Sequence, residues 1–294
     1  MNSAQVPLIL SADWAGYQLL DSGDRRKLER FGPVTIIRGE SKAWWRPDDP
    51  SRWAGADAVL RDDGRWDLRR GVARNWVMEL EGLKLQARLT DGSRHLGVFP
   101  EQEPNWSWMA ERLRTRQKPR LLNLFGYTGV ASLIAARAGA QVTHVDASKP
   151  SIAWGRENQH LSGMGAAPVR WVLEDALKYV GRELRRGSRY EAILLDPPSF
   201  GRGPNGEVWR VEEQVVELLS LCRGLLSDTP LLLILTLYNL EASSLMLENL
   251  VGDVLRGLGG ELCVGELALK HERSAKRLPL SLFARWQGAG SSMS

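Results

Sequence analysis

From about residue 119 onward, short apolar runs alternate with longer segments whose apolar positions recur every three or four residues, the pattern of strands followed by helices. Leu121–Phe125 predicts a buried strand, and Val130–Ala138, a run of small apolar residues ended by Gly139, a helix. Gln141–Asp146 predicts the next strand and Pro150–Leu161 a helix with proline near its start, where its missing N–H costs nothing. Val169–Leu173, Glu191–Asp196 and Pro230–Leu237 predict further strands, with helices over Asp175–Arg186, Val211–Leu226 and Glu241–Leu258. Glu261–Lys270 and Leu280–Trp286 close the series as an antiparallel pair. Alternation over short links predicts a doubly wound α/β domain whose parallel sheet is covered on both faces. Right-handed crossovers then place a ligand crevice at the carboxyl ends of the strands.

The first 95 or so residues are patterned differently. Short apolar runs (Val34–Ile37, Trp76–Leu80, Leu83–Leu89) are separated by turn signals such as Asp62-Asp63-Gly64 and Asp91-Gly92, which predicts a small β-rich domain over 1–95 ahead of a catalytic domain over 96–294. Eight of the twelve tryptophans lie before residue 110 (Trp14, Trp44, Trp45, Trp53, Trp66, Trp76, Trp106 and Trp108). Their spacing follows the strands and favours a compact core; a platform on which nucleic-acid bases stack is the alternative.

Composition narrows the class. With 43% hydrophobic and 25% charged residues, the chain of 294 can bury a packed core. The longest apolar run, Leu231 to Leu237, suits a buried strand and falls far short of the ~20 residues that span a bilayer. Met1–Pro7 has neither the basic start nor the long apolar centre of a secretory leader, so a cytoplasmic, membrane-free protein is expected; Gly288–Ser294 reads as a disordered tail. The two cysteines, Cys222 and Cys263, form no metal or disulfide pattern, and no metal is expected. The net charge of +4 resides entirely after residue 110, where basic runs stand at Arg112, Arg114, Arg116, Lys118 and Arg120, at Arg182, Arg185, Arg186 and Arg189, and at Lys270, Arg273, Lys276 and Arg277. Such runs attract a polyanion or simply form solvated faces.

Candidate chemistry gathers at the strand ends. The first strand runs into Asn123-Leu124-Phe125-Gly126-Tyr127-Thr128-Gly129, where two glycines straddle a tight turn before a helix and let a ligand approach the backbone. The turn lacks the GxGxxG pattern that favours a pyrophosphate, which weighs against an NAD-dependent oxidoreductase on the same fold. The second strand ends in Asp146-Ala147-Ser148, about 20 residues on, where a carboxylate can accept from two ribose hydroxyls or cap the next helix. The third ends in Glu174-Asp175-Ala176, where the aspartate can accept from an adenine amino group or, again, cap a helix. The fourth ends in Asp196-Pro197-Pro198-Ser199-Phe200: the prolines fix a rigid extended turn, leave carbonyl acceptors and a carboxylate toward the crevice, and precede a ring able to stack on a flat substrate. Gly201–Gly206 reads as a flexible loop suited to a lid.

On these residues the chain resembles class I S-adenosylmethionine (SAM)-dependent methyltransferases, in particular the branch of bacterial large-subunit ribosomal RNA methyltransferases. The resemblance covers residues 95–286; Leu-Asn-Leu-Phe-Gly-Tyr-Thr-Gly and Asp-Pro-Pro-Ser-Phe carry it most specifically, supported by Gly97–Gln102 and by Arg277-Leu278-Pro279 with Phe283–Trp286. It implies a Rossmann-like seven-stranded sheet, a cytoplasmic enzyme and an RNA substrate. It further implies that Asn123 and Phe125–Gly129 wrap the methionine part of SAM, that Asp146, Ala147 and Ser148 hold the ribose, that Asp175 and Ala176 read the adenine, and that Asp196, Pro197 and Phe200 face the substrate. Asn123 stands where the superfamily often has an acid.

Within that branch, carbon-5 methylation of a pyrimidine requires a cysteine thiolate after the fourth or fifth strand. Here those positions carry Pro198 and Ser199, and Thr236-Leu237-Tyr238; Cys222 and Cys263 fall within a helix and a strand and are expected in the core. The Asp-Pro-Pro-Ser-Phe turn instead resembles those of nitrogen methyltransferases, which implies Asp196 as the orienting acceptor, Phe200 as the stacking ring, and Ser199 and Thr236 as polar helpers. Transfer to a small molecule or a protein, or a cysteine-independent relative of the cytosine enzymes, are the other methyltransferase readings.

Overall fold

In a computed structural model, which describes residues 6–11, 14–238 and 240–289, the chain opens with β1 (Leu8–Leu10) and then builds an N-terminal sheet from β2 (Tyr17–Gly23), β3 (Arg26–Phe31), β4 (Val34–Gly39), β5 (Ala58–Leu60) and β6 (Trp66–Leu68), paired in that order. A hairpin of β7 (Asn75–Leu80) and β8 (Leu83–Arg88) follows, then helix α1 (Glu103–Leu113). The alternating part comprises β9 (Arg120–Leu124), α2 (Val130–Arg137), β10 (Gln141–Asp146), α3 (Lys149–Leu161), β11 (Val169–Leu173), α4 (Ala176–Arg185) and β12 (Ala192–Leu195). It continues through β13 (Phe200–Arg202), β14 (Val208–Arg210), α5 (Val211–Leu225), β15 (Leu232–Tyr238), α6 (Ser244–Val254), β16 (Glu261–Lys270) and β17 (Arg277–Gln287).

The large sheet runs β1-β16-β17-β15-β12-β9-β10-β11. The seven expected strands are present and β1 adds an eighth, pairing in parallel with β16. From β9 the chain moves outward through β10 and β11 and then returns to the other side of β9 as β12 and β15, all parallel. The gap between β9 and β12 is therefore the topological switch point, and the crevice opens at their carboxyl ends.

Period-2 alternation inside the apolar strands explains their lack of polar positions. Leu121, Leu194 and Ile234 pack with Trp106, Met109 and Leu113 of α1 and Leu133 and Ile134 of α2. Their strand neighbours Leu122, Ile193 and Leu235 pack on the opposite face with Tyr179 of α4, Leu218 and Leu219 of α5 and Leu247 of α6. Both faces are thus sealed, and truncating a side chain such as Leu194 removes contacts worth about 2–5 kcal/mol. A third core joins the N-terminal sheet (Leu19, Phe31, Ile36, Trp66) to Leu269, Leu278 and Leu280 of β16 and β17.

Three expectations change. Cys222 lies in the core, but Cys263 is exposed on β16, which is next to last at the sheet's outer end. The 201–206 segment is the turn region of an antiparallel hairpin, β13 with β14, closed by the Gly203 amide donating to the Glu207 carbonyl (2.8 Å). The sixth helix is shorter than its apolar pattern, starting after Ser243, whose hydroxyl accepts from the Met246 amide (3.2 Å). The expected tail falls mostly outside the described residues, as do residues 1–5.

Candidate active site

The turn after β9 is built from alternating backbone hands. Phe125 (φ 57°), Tyr127 (φ 50°) and Gly129 (φ 80°) adopt left-handed conformations. For the first two this is a strained state that the surroundings enforce: the Gly126 amide donates to the Val145 carbonyl (3.1 Å) and the Tyr127 amide to Asp146 Oδ2 (2.8 Å). Gly126 has to be glycine, since a Cβ there would lie 2.4 Å from the His144 ring. Beneath it Asn123 donates to Ser132 (2.9 Å), which bonds His144 Nδ1 (2.9 Å). Burial drives His144 to about 3, so it stays neutral. Thr128 is tied to the Gly97 carbonyl (2.5 Å).

Asp146 ends β10 with each oxygen engaged once, Oδ2 by Tyr127 and Oδ1 by the Ser148 amide (2.8 Å). Burial raises its pKa against those two hydrogen bonds. Ser148 caps α3 through the Ser151 amide (3.2 Å). Asp175 caps α4, accepting from the Lys178 amide (3.0 Å). The capping reading is therefore correct, yet Asp175 also faces the crevice.

Asp196 follows β12 and is half-buried. Its Oδ1 takes the Thr236 hydroxyl and Gln102 Nε2 (3.4 Å); Gln102 also reaches Thr236 Oγ1 (3.2 Å). Gln102 is held by Asn105 (2.8 Å), and Asn105 by Arg285 Nε (2.7 Å), so α1 and β17 brace the carboxylate. Among the described residues no donor reaches Oδ2. Burial pushes Asp196 up to about 7; the Thr236 bond opposes this and the charge of Glu101 adds to it. The Pro198 carbonyl accepts from Trp209 Nε1 (2.7 Å); Pro197 is buried between Asp196 and Pro198 and lines neither the cleft nor the cavities beside it.

One open cleft is lined by Phe125, Tyr127, Asp146, Ala147, Ser148, Asp175, Ala176 and Asp196, with Trp209 across from them. An adjoining cavity brings in Asn123, Gly126 and Thr128. These expected residues therefore share one region. Gly129 shapes the turn but lies behind it, against Trp171. Phe200 stands apart: it is 52% exposed on the β13–β14 hairpin, outside both linings, with Arg202 over its ring. Ser199 offers its carbonyl to the Val211 amide, closing the hairpin's base. Of the two polar helpers, Thr236 touches Asp196.

Phe99 and Gln102, which belong to the Gly97–Gln102 segment of the resemblance, and Trp209 and Tyr238 line the site without having been expected there. Phe99 sits centrally, its ring 5.0 Å from His95, 5.5 Å from Tyr127 and 6.5 Å from Tyr238. A signal for α1 was present: Trp106, Met109, Ala110 and Leu113 fall at i, i+3, i+4 and i+7, and Gln102 is the residue that leads into it.

The cleft fits SAM chemically. It offers hydroxyl-accepting carboxylate at Asp146, apolar surface at Phe125, Ala147 and Ala176 for a flat base, and carboxylates whose charge suits a sulfonium. A family model described as S-adenosylmethionine-dependent methyltransferase matches residues 58–229. Among curated proteins, the chain is 28% identical over 149 residues to "Ribosomal RNA large subunit methyltransferase I" of Aeromonas salmonicida, covering 50% of this chain and 34% of that one. It is 35% identical over 150 residues to "Ribosomal RNA large subunit methyltransferase K/L" of Shewanella baltica, covering 50% and 20%. The chain thus spans only a third or less of the curated relatives it matches. A crystal structure of the SAM-dependent methyltransferase from Agrobacterium tumefaciens superposes with TM-score 0.93 at 44% identity, covering 96% of this chain and 94% of that one. The protein SMU.776, solved complexed with SAH, shares the fold at TM-score 0.74 and 18% identity, covering 94% and 76%.

Proposed function

Because the chain belongs to the SAM-dependent methyltransferase family, we propose that it transfers a methyl group to a nitrogen of a nucleobase in ribosomal RNA. The family membership removes the NAD-dependent alternative. One observation carries the nitrogen assignment: Asp196 is anchored through Oδ1 alone, so Oδ2 is left to accept from an amino group. That bond would fix an amino hydrogen and aim the nitrogen lone pair.

SAM supplies an electrophilic methyl on a sulfonium. Asn123 and the Phe125–Gly129 turn would hold its methionine part, Asp146, Ala147 and Ser148 the ribose, and Asp175 and Ala176 the adenine. The N–C bond would form as the methyl–sulfur bond breaks, with S-adenosylhomocysteine as the leaving group; the nitrogen gains positive charge, and Asp196 would take up its proton, a task to which a carboxyl near pH 7 is matched. Alignment supplies most of the rate, since the donor is already activated. Cys222, buried and pushed up by desolvation, and Cys263, on the far strand β16, lie outside the linings of the cleft, which supports a route without a thiolate.

The RNA reading is supported by the names of the relatives and by an exposed patch on the loops beside the N-terminal sheet. Trp44 is 78% exposed beside Arg25, whose guanidinium lies 6.0 Å from its ring. This suits a stacked base next to a phosphate. Phe200, on its exposed hairpin, would meet the substrate at the cleft mouth. The deciding experiment compares modified nucleosides in ribosomal RNA from cells with and without the protein by mass spectrometry. Loss of one N-methylated nucleoside is expected; identical profiles, with labelled methyl appearing in a protein or small molecule, overturn the RNA assignment.

A further inference from the structure

A second cavity meets the cofactor cleft at His95, Phe99, Tyr238 and Asp196, which line both. Its remaining wall includes Lys27, Arg38 and Gly39 of the N-terminal sheet, together with Arg94, Glu101 and, from β17, Ser281. The charges on that wall are not equally available. Glu29, wholly buried, binds Arg38 (2.6 Å) and Lys27 (3.6 Å), and Lys27 also reaches Glu40 (3.3 Å). Glu101 has no such tie: no other described residue makes an ion pair or hydrogen bond with its carboxyl group, and burial raises its pKa. His95 is held neutral, its pKa lowered to about 3 by burial and by the nearby cations. The cavity therefore offers aromatic walls, the carboxyl group of Glu101 and the free Oδ2 of Asp196.

We propose that this cavity seats the methyl acceptor and that Glu101 is a second, specificity-determining acceptor beside Asp196, selecting a flat ring whose amino group stands next to a ring N–H. The assignment rests on the nucleobase reading above. A guanine edge carries those two neighbouring donors. Adenine and cytosine place a lone pair where the guanine N–H would be, and a lone pair facing a carboxylate is repelled. The N-terminal sheet then acts as half of the binding site, and the Phe99 and Tyr238 rings hold the base between the halves.

Gly39 supplies a clean test, because a Cβ built there meets nothing within 4 Å and its φ is not left-handed. Gly39→Leu should fold normally and fill the cavity. The full chain, saturated with S-adenosylhomocysteine, is titrated calorimetrically with GMP, IMP and AMP. GMP should bind, with IMP (no amino group) and AMP at least about tenfold weaker. Gly39→Leu should abolish GMP binding and Glu101→Gln should weaken it several-fold, both with unchanged affinity for S-adenosylhomocysteine. GMP binding untouched by Gly39→Leu, or AMP bound as tightly as GMP, overturns the cavity assignment alone. If none of the three nucleotides binds, the nucleobase reading falls and takes this assignment with it.

Discussion

Asp196 concentrates the chemistry in one side chain, so its variants are the most direct probe. Asp196→Ala should lower methyl transfer by at least about 10²-fold, since it removes both the orienting and the proton-accepting group, while SAM affinity by calorimetry stays within a few-fold. A retained rate removes the carboxylate from the mechanism. The wild-type rate should rise with pH through about 7, because the ionised form is the acceptor and burial places its titration there; the conservative Asp196→Asn should be slow and flat over the same range. The stability linkage has the opposite sign. A carboxyl whose folded pKa is raised contributes stability below its unfolded value near 4 and loses it as pH climbs through 7, so activity and stability trade against each other across that window. Gly126→Ala forces a Cβ to 2.4 Å from His144. It should cost about 1–3 kcal/mol and weaken SAM binding, read as a lowered Tm and a raised Kd. Both residues stand out in the sequence; Tyr238 does not, and the Gly97–Gln102 segment is legible as a resemblance but gives no role to Phe99 or Gln102, because their partners are distant in the chain.

The β13–β14 hairpin is the element whose behaviour differs most from its composition. Gly201–Gly206 has the makeup of a mobile loop, yet the strands on either side pair, Lys178 forms an ion pair with Glu207, and Trp209 pins the base through Pro198 and against Phe125, 4.9 Å between rings. Trp209→Ala should release it. Limited proteolysis at Arg202 is expected to accelerate and methyl transfer to fall, with far-UV circular dichroism nearly unchanged; protection equal to wild type shows that the strand pairing alone holds the hairpin. Helix α1 is the converse case, a regular amphipathic element not anticipated from the sequence, although Pro104 stands in its first turn where proline is favoured. Its value lies in the tie Arg285–Asn105–Gln102–Asp196, which no inspection of the helix by itself reveals.

At the scale of the molecule, the N-terminal sheet shares a core with β16 and β17 and lines the second cavity through Lys27, Arg38 and Gly39. Several basic residues noted in the sequence are absorbed into the fold: Arg112 stacks on Trp108 (3.9 Å), Arg120 on Tyr190 (4.9 Å), and Arg182 pairs with Glu174 (3.0 Å). Trp44 and Arg25 are not. Replacing both by Ala should weaken ribosomal RNA binding by about tenfold and reduce its salt dependence by about one unit of slope, the signature of one lost phosphate contact, without altering SAM affinity. Unchanged RNA binding places the RNA path elsewhere.

The sequence alone determined the alternating strands and helices, the crevice at their carboxyl ends, the glycine turn and the three strand-end carboxylates, because each is written in local periodicity, turn chemistry or a short motif. Tertiary structure decided the rest. It decided that Asp196 is braced by residues 94, 40 and 89 positions away (Gln102, Thr236 and Arg285), that β1 extends the large sheet from the far end of the chain, that Cys263 is exposed, and that Glu101 faces a cavity half made by another sheet. These depend on contacts between segments distant in sequence, where neither hydrophobic period nor turn propensity carries information.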